Sequence, residues 1–397
     1  MKIEYIDGKH KLGIKYDWNL ISKEYRRLKC PKEYNNPLTN GIDKAHIHLL
    51  VSERSTGKTT NLLLVGIIMY YLYGTTTEYI RANDKMVTYQ KTKNLFDVIL
   101  EYDYISKITK GKYNSVHYHS RRWYLCLKDE DGEIIEKADT HFMCMLACNE
   151  SDNYKSSYNA PKGDWIIYDE FISMNAYTPR DEFIWYNDII KTIIRNRLSP
   201  HIFLLANTID REHRYFDELG VYDYMQSIEI GEEVVATTPV YNTPIYIKWI
   251  SPYKSKETLK DNIKQVSQYF GFSNKKLASI IGGSEWATKN YPHLTSDFMS
   301  DAKSIFRNCY IETTNRLINL ELYYHDDMGY FVMAHDAKRT FDDSIIYTRD
   351  VIKDKRYRYL FGHSTFDKKI WELYRRNKFF YSTNGVGLAI DKYINEK

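Results

Sequence analysis

Blocks of apolar residues separated by polar turns run along most of the 397-residue chain. Ala45 to Val51 is short and almost wholly apolar, the pattern of a strand buried on both faces. A turn containing Gly57 follows, and Thr59 to Tyr73 reads as an apolar helix, so the two form the first half of a βαβ unit. Tyr79-Ile80-Arg81 predicts a second strand ended by Asn83 and Asp84, with a helix through Leu95 to Tyr102 after it. Residues 115 to 147 alternate with period two. Within them Asp129-Glu130-Asp131-Gly132 separates Arg122 to Lys128 from Glu133 to Lys137, which predicts an inserted antiparallel hairpin. Trp165 to Tyr168 is a further apolar strand, ending on Asp169-Glu170. A helix from about Pro179 to Arg197 leads to a strand, His201 to Ala206, ending on Asn207-Thr208. Strands alternating with helices predict an α/β fold with a mostly parallel sheet.

The pattern changes after about residue 250. Ser255 to Tyr269 and Ser273 to Ile281 predict short helices punctuated by Gly271, Gly282 and Gly283, the character of a helical connector. A β-rich run begins at Cys309: Tyr310 to Thr313, Leu317 to Tyr324, a turn at Asp326-Asp327-Met328-Gly329, and Tyr330 to Ala334. The expected organisation is therefore a domain over residues 1–250, a linker over 251–300 and a second, α+β domain over 301–397.

Composition narrows the class. A hydrophobic fraction of 43% excludes a low-complexity disordered chain. A mean hydropathy of −0.55, with Leu62 to Tyr73 the longest apolar run, predicts no membrane-spanning helix. The start, Met1-Lys2-Ile3-Glu4, lacks a signal pattern, and the five cysteines (Cys30, Cys126, Cys144, Cys148, Cys309) are odd in number and scattered, so a reducing, cytosolic setting is expected. Cys144 and Cys148 have no second pair and no spaced histidine, and read as strand core. The net charge of +4 hides an asymmetry: residues 346–397 hold 12 Lys or Arg against 6 acids, a net +6, which leaves −2 for the rest. That tail, with Tyr357, Tyr359, Trp371, Tyr374, Phe379 and Phe380 interleaved, suits a polyanion. Tyrosine is abundant, 37 residues, with no function in view for those outside the tail.

Three segments carry chemistry. Ser52-Glu53-Arg54-Ser55-Thr56-Gly57-Lys58-Thr59-Thr60 joins a strand to a helix. There, backbone N–H groups and a helix N-terminus face a phosphate, Lys58 reaches the β- and γ-phosphates, and the Thr59 hydroxyl meets Mg²⁺. The departure from the usual pattern is Ser52 in place of the opening glycine. In the second segment, Asp169 ends a buried strand where it holds the metal's hydration shell, and Glu170, one residue farther out, orients or deprotonates the attacking water. In the third, Asn207 ends a strand near the γ-phosphate, either to sense it or to cap the next helix. Arg54, Arg195 and Arg197 are candidates for transition-state charge, within the subunit or across a subunit boundary.

In this order the pieces resemble a viral DNA-packaging ATPase of the terminase large-subunit type. The matching residues are the deviant loop Ser52 to Thr59, Asp169-Glu170 preceded by Met145-Leu146-Ala147 and Lys155-Ser156-Ser157, and the strand ending in Ala206-Asn207. They span roughly residues 40 to 215, and the length is that of the compact packaging ATPases of small podophages. The resemblance implies an ASCE-type P-loop domain, ATP and Mg²⁺ as cofactors, Glu170 as catalytic glutamate, Asn207 as coupling residue, and Arg195 or Arg197 ahead of Arg54 as the arginine acting in trans. It further implies a homo-oligomeric ring, expected to be a pentamer, acting on double-stranded DNA and docked, directly or through a packaging RNA, at a capsid portal on a procapsid vertex in the host cytoplasm, with no membrane partner.

The C-terminal domain is implied to be RNase H-like. Its candidate metal-binding acids (Glu312, Asp326, Asp327, Asp336, Asp342, Asp343) lack the expected Asp-x-Gly setting, so a domain that binds nucleic acid without cutting it is the reading preferred here over an active Mg²⁺ nuclease. Candidate nucleic-acid contacts are Lys110, Lys112, Arg121 and Arg122 in the first domain, and Arg356, Arg358, Lys368, Lys369, Arg375 and Arg376 in the second. The alternatives are another P-loop helicase or translocase, and a non-hydrolysing nucleic-acid-binding protein with a structural loop.

Overall fold

The protein is described here from a computed structural model, which describes residues 3–6, 10–31, 34–52, 56–172, 181–207, 213–229, 231–251, 291–313, 316–349, 351–359 and 364–395. The expected helices at 255–269 and 273–281, and the start of the one from Pro179, lie outside the described residues. Two compact units divide the chain, Met1–Ala287 and Thr288–Lys397.

In the first unit a hairpin of β1 (Ile3–Ile6) and β2 (His10–Ile14) precedes α1 (Trp18–Arg27), whose first turn is capped by the Asp17 carboxylate accepting from the N–H groups of Asn19 and Leu20. Then come β3 (Ile47–Ser52), α2 (Lys58–Tyr73) and β4 (Thr76–Arg81). Short helices α3 (Tyr89–Thr92), α4 (Asp97–Glu101) and α5 (Tyr104–Thr109) follow. The helix expected over Leu95 to Tyr102 is present as α4, led in by a 3₁₀ turn over Lys93–Phe96, and Asp103 at φ 53° separates it from α5. Next are β5 (Ser115–His119), β6 (Arg122–Lys128), β7 (Ile134–Lys137), β8 (Met143–Ala147), α6 (Ser151–Ser157), β9 (Gly163–Asp169), α7 (Glu182–Ile194) and β10 (His201–Asn207). The unit continues through α8 (Arg214–Glu218), α9 (Tyr222–Ser227), β11 (Glu233–Thr237) and β12 (Pro244–Ile250).

The strands form one sheet in the order β11-β12-β3-β10-β9-β4-β8-β6-β5, with β7 paired to β6. From β12 to β8 every neighbour is parallel, and the antiparallel members sit at the two edges. The expected hairpin is present, with Cys126 opposite Lys137 and Leu127 opposite Glu136. Alternate residues of each apolar strand feed two cores. Leu50, Phe203, Leu205, Trp165 and Tyr79 face α1, α2 and α5 on one side; Leu49, Val51, Leu204, Ile166 and Tyr168 face α7 and the α8-α9 segment on the other. This explains why α2 is apolar all round: it is enclosed from Asn61 to Met69. Gly66 permits that approach, since a Cβ there would lie 2.3 Å from Thr77 Oγ1.

The second unit contains α10 (Ser296–Ser300), β13 (Lys303–Phe306), β14 (Cys309–Glu312), β15 (Leu317–His325), β16 (Gly329–Asp336), β17 (Ile345–Tyr347), β18 (Tyr357–Arg358), α11 (Thr365–Arg375), β19 (Phe379–Tyr381) and α12 (Asn384–Asn395). The sheet order is β18-β17-β14-β15-β16-β19. An antiparallel meander β14-β15-β16 is flanked by β17 parallel to β14 and β18 parallel to β17, which is the RNase H-like arrangement. Ile370 and Leu373 of α11 and Val386 and Ile390 of α12 pack on Ile311, Leu320 and Val332.

At the amino-terminal ends of β3 and β10, His48 is wholly buried and stacks on Phe203 at 4.6 Å. Its ring nitrogens meet Asn40 O at 2.9 Å and His201 Nδ1 at 3.2 Å. Burial lowers His48 to about 4 and His201 to about 2. As pH falls below about 6.5 the unfolded chain takes up these protons while the native fold does not, so stability declines with falling pH until each native value is reached. Between pH 6.5 and 4, His48 alone removes about 3 kcal/mol. Urea unfolding across this range checks it, and His48→Gln flattens the slope.

Candidate nucleotide site

The polar ends of four apolar strands meet at one edge of the sheet. Asn207 pairs in register with Ser52, Leu205 with Asp169, and Ile80 with Tyr168, so Ser52, Asn207, Asp169 and Arg81 line the carboxyl edge. The order β3-β10-β9 places the Asn207 strand between the phosphate-loop strand and the acid-bearing strand.

Ser52 completes β3 as a buried strand residue, which accounts for its place where glycine usually stands. Its hydroxyl bonds Thr56 Oγ1 at 2.7 Å and accepts from Lys58 Nζ, so it braces the loop from inside. Lys58 is only 8% exposed, and its ammonium also donates to Asn207 Oδ1 at 3.4 Å. Gly57 has φ 71°, and a Cβ on it would lie 2.5 Å from the Tyr34 ring; both conditions select glycine. Asn35 N–H donates to Thr56 O at 3.1 Å, and Asn61 Nδ2 to Asn35 O at 2.7 Å, so residues 34 and 35 fasten the loop's outer side. Thr60 lies in the first turn of α2. Arg54 and Ser55 lie outside the described residues.

Thr59 Oγ1 donates to Asp169 Oδ2 at 3.1 Å. A hydroxyl in the first turn of a helix beside a strand-end carboxylate is the donor set that octahedral Mg²⁺ uses, with phosphate and water filling the rest. Together with the Lys58 ammonium and the glycine-dependent turn, these residues fit Mg²⁺ and a nucleotide triphosphate. Among the described residues no group of three His, Cys, Asp or Glu side chains gathers to hold a metal on its own.

Glu170 leaves the strand at φ 52°, Phe171 N–H donates to Leu205 O of β10 at 3.3 Å, and the Glu170 side chain is 44% exposed. Its carboxylate is held by Arg81, whose Nη2 donates to Oε2 at 2.5 Å; Arg81 Nη1 lies 3.7 Å from Asp169 Oδ2. Tyr79, fully enclosed, donates to the same Oδ2 at 2.5 Å. Burial works against the Arg81 charge, but Tyr79, Asp169 and Glu170 outweigh it and hold the guanidinium above its ordinary value. Arg81 and Tyr79 were not singled out in the sequence beyond their strand. The available signal was a cation closing an apolar strand whose neighbour closes on two acids.

Arg195 and Arg197 lie at the far end of the sheet. Arg197, 8% exposed, pairs with buried Asp164 at 3.2 Å and donates to the carbonyls of Gly163 and Ile193. Asp164 and Asp169 are at opposite ends of β9, roughly 17 Å apart at the rise of an extended strand. Action of Arg197 on its own subunit's phosphates is therefore excluded by geometry, and its guanidinium is already committed. Arg195 donates to Tyr158 O at 3.2 Å from an exposed position.

The candidate nucleic-acid residues divide similarly. Lys110 and Lys112 are exposed, and Arg122 lies exposed at the start of β6. Arg121 bonds Glu150 through both terminal nitrogens, its side chain 37% exposed. In the second unit Arg356 pairs with Asp354, Arg358 with Asp367 and Arg376 with Glu372. Lys368, Lys369 and Arg375 share α11 and point outward, Lys369 lying over the Tyr330 ring at 5.4 Å. Among the acids, Glu312 is engaged by Lys353 at 2.8 Å, and Asp343 accepts from Asn308 at 2.8 Å.

Taken together, the fold is that of the viral DNA-packaging ATPases, a P-loop domain followed by an RNase H-like one. It is similar to the Phi-28 gp11 DNA packaging motor at a TM-score of 0.56 and 15% identity, covering 92% of this chain and 99% of that one. It is also similar to the bacteriophage Phi-29 viral genome packaging motor assembly at a TM-score of 0.60 and 14% identity, covering 91% and 98%. No protein-family model and no curated protein matches the sequence.

Removing Arg81 leaves two neighbouring carboxylates without their cation. Arg81→Met lowers the unfolding free energy by about 2 kcal/mol, less than for a fully buried pair because Glu170 is partly exposed. A thermodynamic cycle with Glu170→Gln measured by urea unfolding checks it: the double variant recovers part of the loss.

Proposed function

We propose that this protein is an ATP-driven motor that moves viral double-stranded DNA into a procapsid, hydrolysing ATP between neighbouring subunits of a ring. The observation that carries this reading is the convergence of Lys58, Thr59, Asp169, Glu170 and Asn207 on one sheet edge, within a fold shared along nearly the whole chain with packaging motors. When bound, ATP would supply the phosphoryl group, and Mg²⁺ the positive charge that offsets the negative charge developing on its oxygens. Lys58 and the first turn of α2 hold the phosphates. Thr59 and Asp169 hold the metal's ligand sphere. Glu170, once free of Arg81, accepts a proton from the attacking water. Asn207, hydrogen-bonded to Lys58, carries the change at the phosphate into β10 and the chain beyond it.

Arg195 is the better candidate for the arginine supplied to a neighbour, because Arg197 would have to abandon a buried aspartate. The lysines and arginine exposed on α11 contact DNA phosphates or a packaging RNA, and the second domain binds without cutting. A pentameric ring docked at a capsid portal completes the reading.

Glu170→Gln retains ATP binding and loses DNA-stimulated hydrolysis by at least a hundredfold; full turnover in that variant overturns the assignment of the water-activating residue. Rings of Arg195→Ala alone and Lys58→Ala alone are inactive, while mixed rings regain hydrolysis, since some interfaces then pair an intact loop with an intact arginine. Failure of every mixture places the arginine elsewhere. Replacing Lys368, Lys369 and Arg375 with Gln lowers the slope of log affinity for duplex DNA against log salt by about 2 to 3. Unwinding of a forked duplex points instead to a helicase.

A further inference from the structure

Asp169 presents its two carboxylate oxygens unequally. All its described bonds fall on Oδ2, which accepts from Tyr79 OH at 2.5 Å and Thr59 Oγ1 at 3.1 Å and faces Arg81 at 3.7 Å. Among the described residues Oδ1 accepts none. Tyr79 itself is fixed: it is enclosed in the core beneath α2, with 2% of its surface exposed, on the strand next to Asp169. Its hydroxyl also lies against the Arg81 guanidinium, which holds Glu170. A phenylalanine would fill the same space, so packing alone does not call for the hydroxyl.

We infer that Tyr79 is a positioning residue for the metal carboxylate: its hydroxyl, bonded to Oδ2, locks the Asp169 side chain in the orientation in which it meets Thr59 and faces the hydration shell of the divalent cation. A carboxylate that must be oriented on binding costs affinity, whereas one held beforehand does not. A hydrogen bond to a charged acceptor is strong enough for this. Because the same hydroxyl touches Arg81, a shift of Asp169 toward the cation also alters the environment of the Arg81-Glu170 pair. The inference rests on the proposed nucleotide site and assigns within it a residue that contacts neither nucleotide nor water.

The test uses Tyr79→Phe in the full-length protein. Mn²⁺ retained in the presence of ADP is measured by electron paramagnetic resonance, and ADP affinity in excess EDTA is measured separately. The expected result is a tenfold to hundredfold weaker retention of Mn²⁺, with metal-free ADP affinity unchanged and the same thermal transition. Mn²⁺ retention within twofold of the unaltered protein overturns the inference and leaves the nucleotide site standing. An equal loss of metal-free ADP affinity overturns it too, because it shows general damage to the loop. If the unaltered protein binds neither ADP nor Mn²⁺ with ADP, the nucleotide reading itself fails and this inference with it. Asp169→Asn in parallel sets the full size of the metal effect.

Discussion

The edge where four apolar strands stop together is the constraint on which the site depends. Parallel strands buried on both faces are mostly apolar along their length, so the chemistry of this site collects where the strands end. Ser52, Arg81, Asp169 and Asn207 are those ends, and sheet register brings them together. Two carboxylates and two cations within one small space stabilise each other only if every one has a partner, because an unpaired charge there carries a desolvation cost of several kcal/mol. Lys58 meets Ser52 and Asn207, Arg81 meets Glu170, and Asp169 meets Tyr79 and Thr59. The arrangement is one of stored donors whose present partners stand where phosphate, metal and water would take over.

The abundance of tyrosine acquires a physical account from the same logic. A buried tyrosine supplies a large apolar ring and one strong donor, and in both units that donor meets a carboxylate. Tyr16 meets Asp164, Tyr168 meets Glu182, Tyr246 meets Glu233, Tyr291 and Tyr374 meet Asp391, and Tyr347 meets Asp367. Glu78, wholly enclosed, is satisfied by Tyr158 and Thr76, while burial raises its carboxyl above the ordinary range. These acids are thus tied into the two units through phenol hydroxyls. Hydrogen-bonded burial accounts for these tyrosines, and base stacking for few of them.

What the sequence made legible follows from periodicity. β3, α2, β9 and β10 lie within two residues of their expected limits because long apolar runs admit one interpretation next to a glycine turn. The hairpin over Arg122 to Lys137 was legible from strict alternation. β12 was not, because Lys248 interrupts the apolar residues from Ile245 to Ile250 and no chemical residue at its end draws notice. Among site residues, the loop and both acids were legible as motifs, since their spacing is local. Tyr79 and Arg81 were not, because their significance depends on which strand lies beside β9, and strand order is a long-range property. The basic tail was legible as charge but not as geometry: half of the arginines and lysines singled out in it face acids of their own unit.

Arg197 shows why a sequence position relative to a motif does not define a role. It precedes β10 at the spacing expected of an arginine acting in trans, yet it answers Asp164 at the buried start of β9, where Tyr16 and Ser199 also bond the same carboxylate. Extending it to a neighbour would leave Asp164, 1% exposed, without the cation it now pairs with. Arg195 has no such obligation: it sits at φ 50° at the end of α7 and gives only bonds to carbonyls, which water replaces at little cost. Two arginines separated by one residue are thereby divided by physics, one securing the base of the catalytic strand and the other left available at the surface.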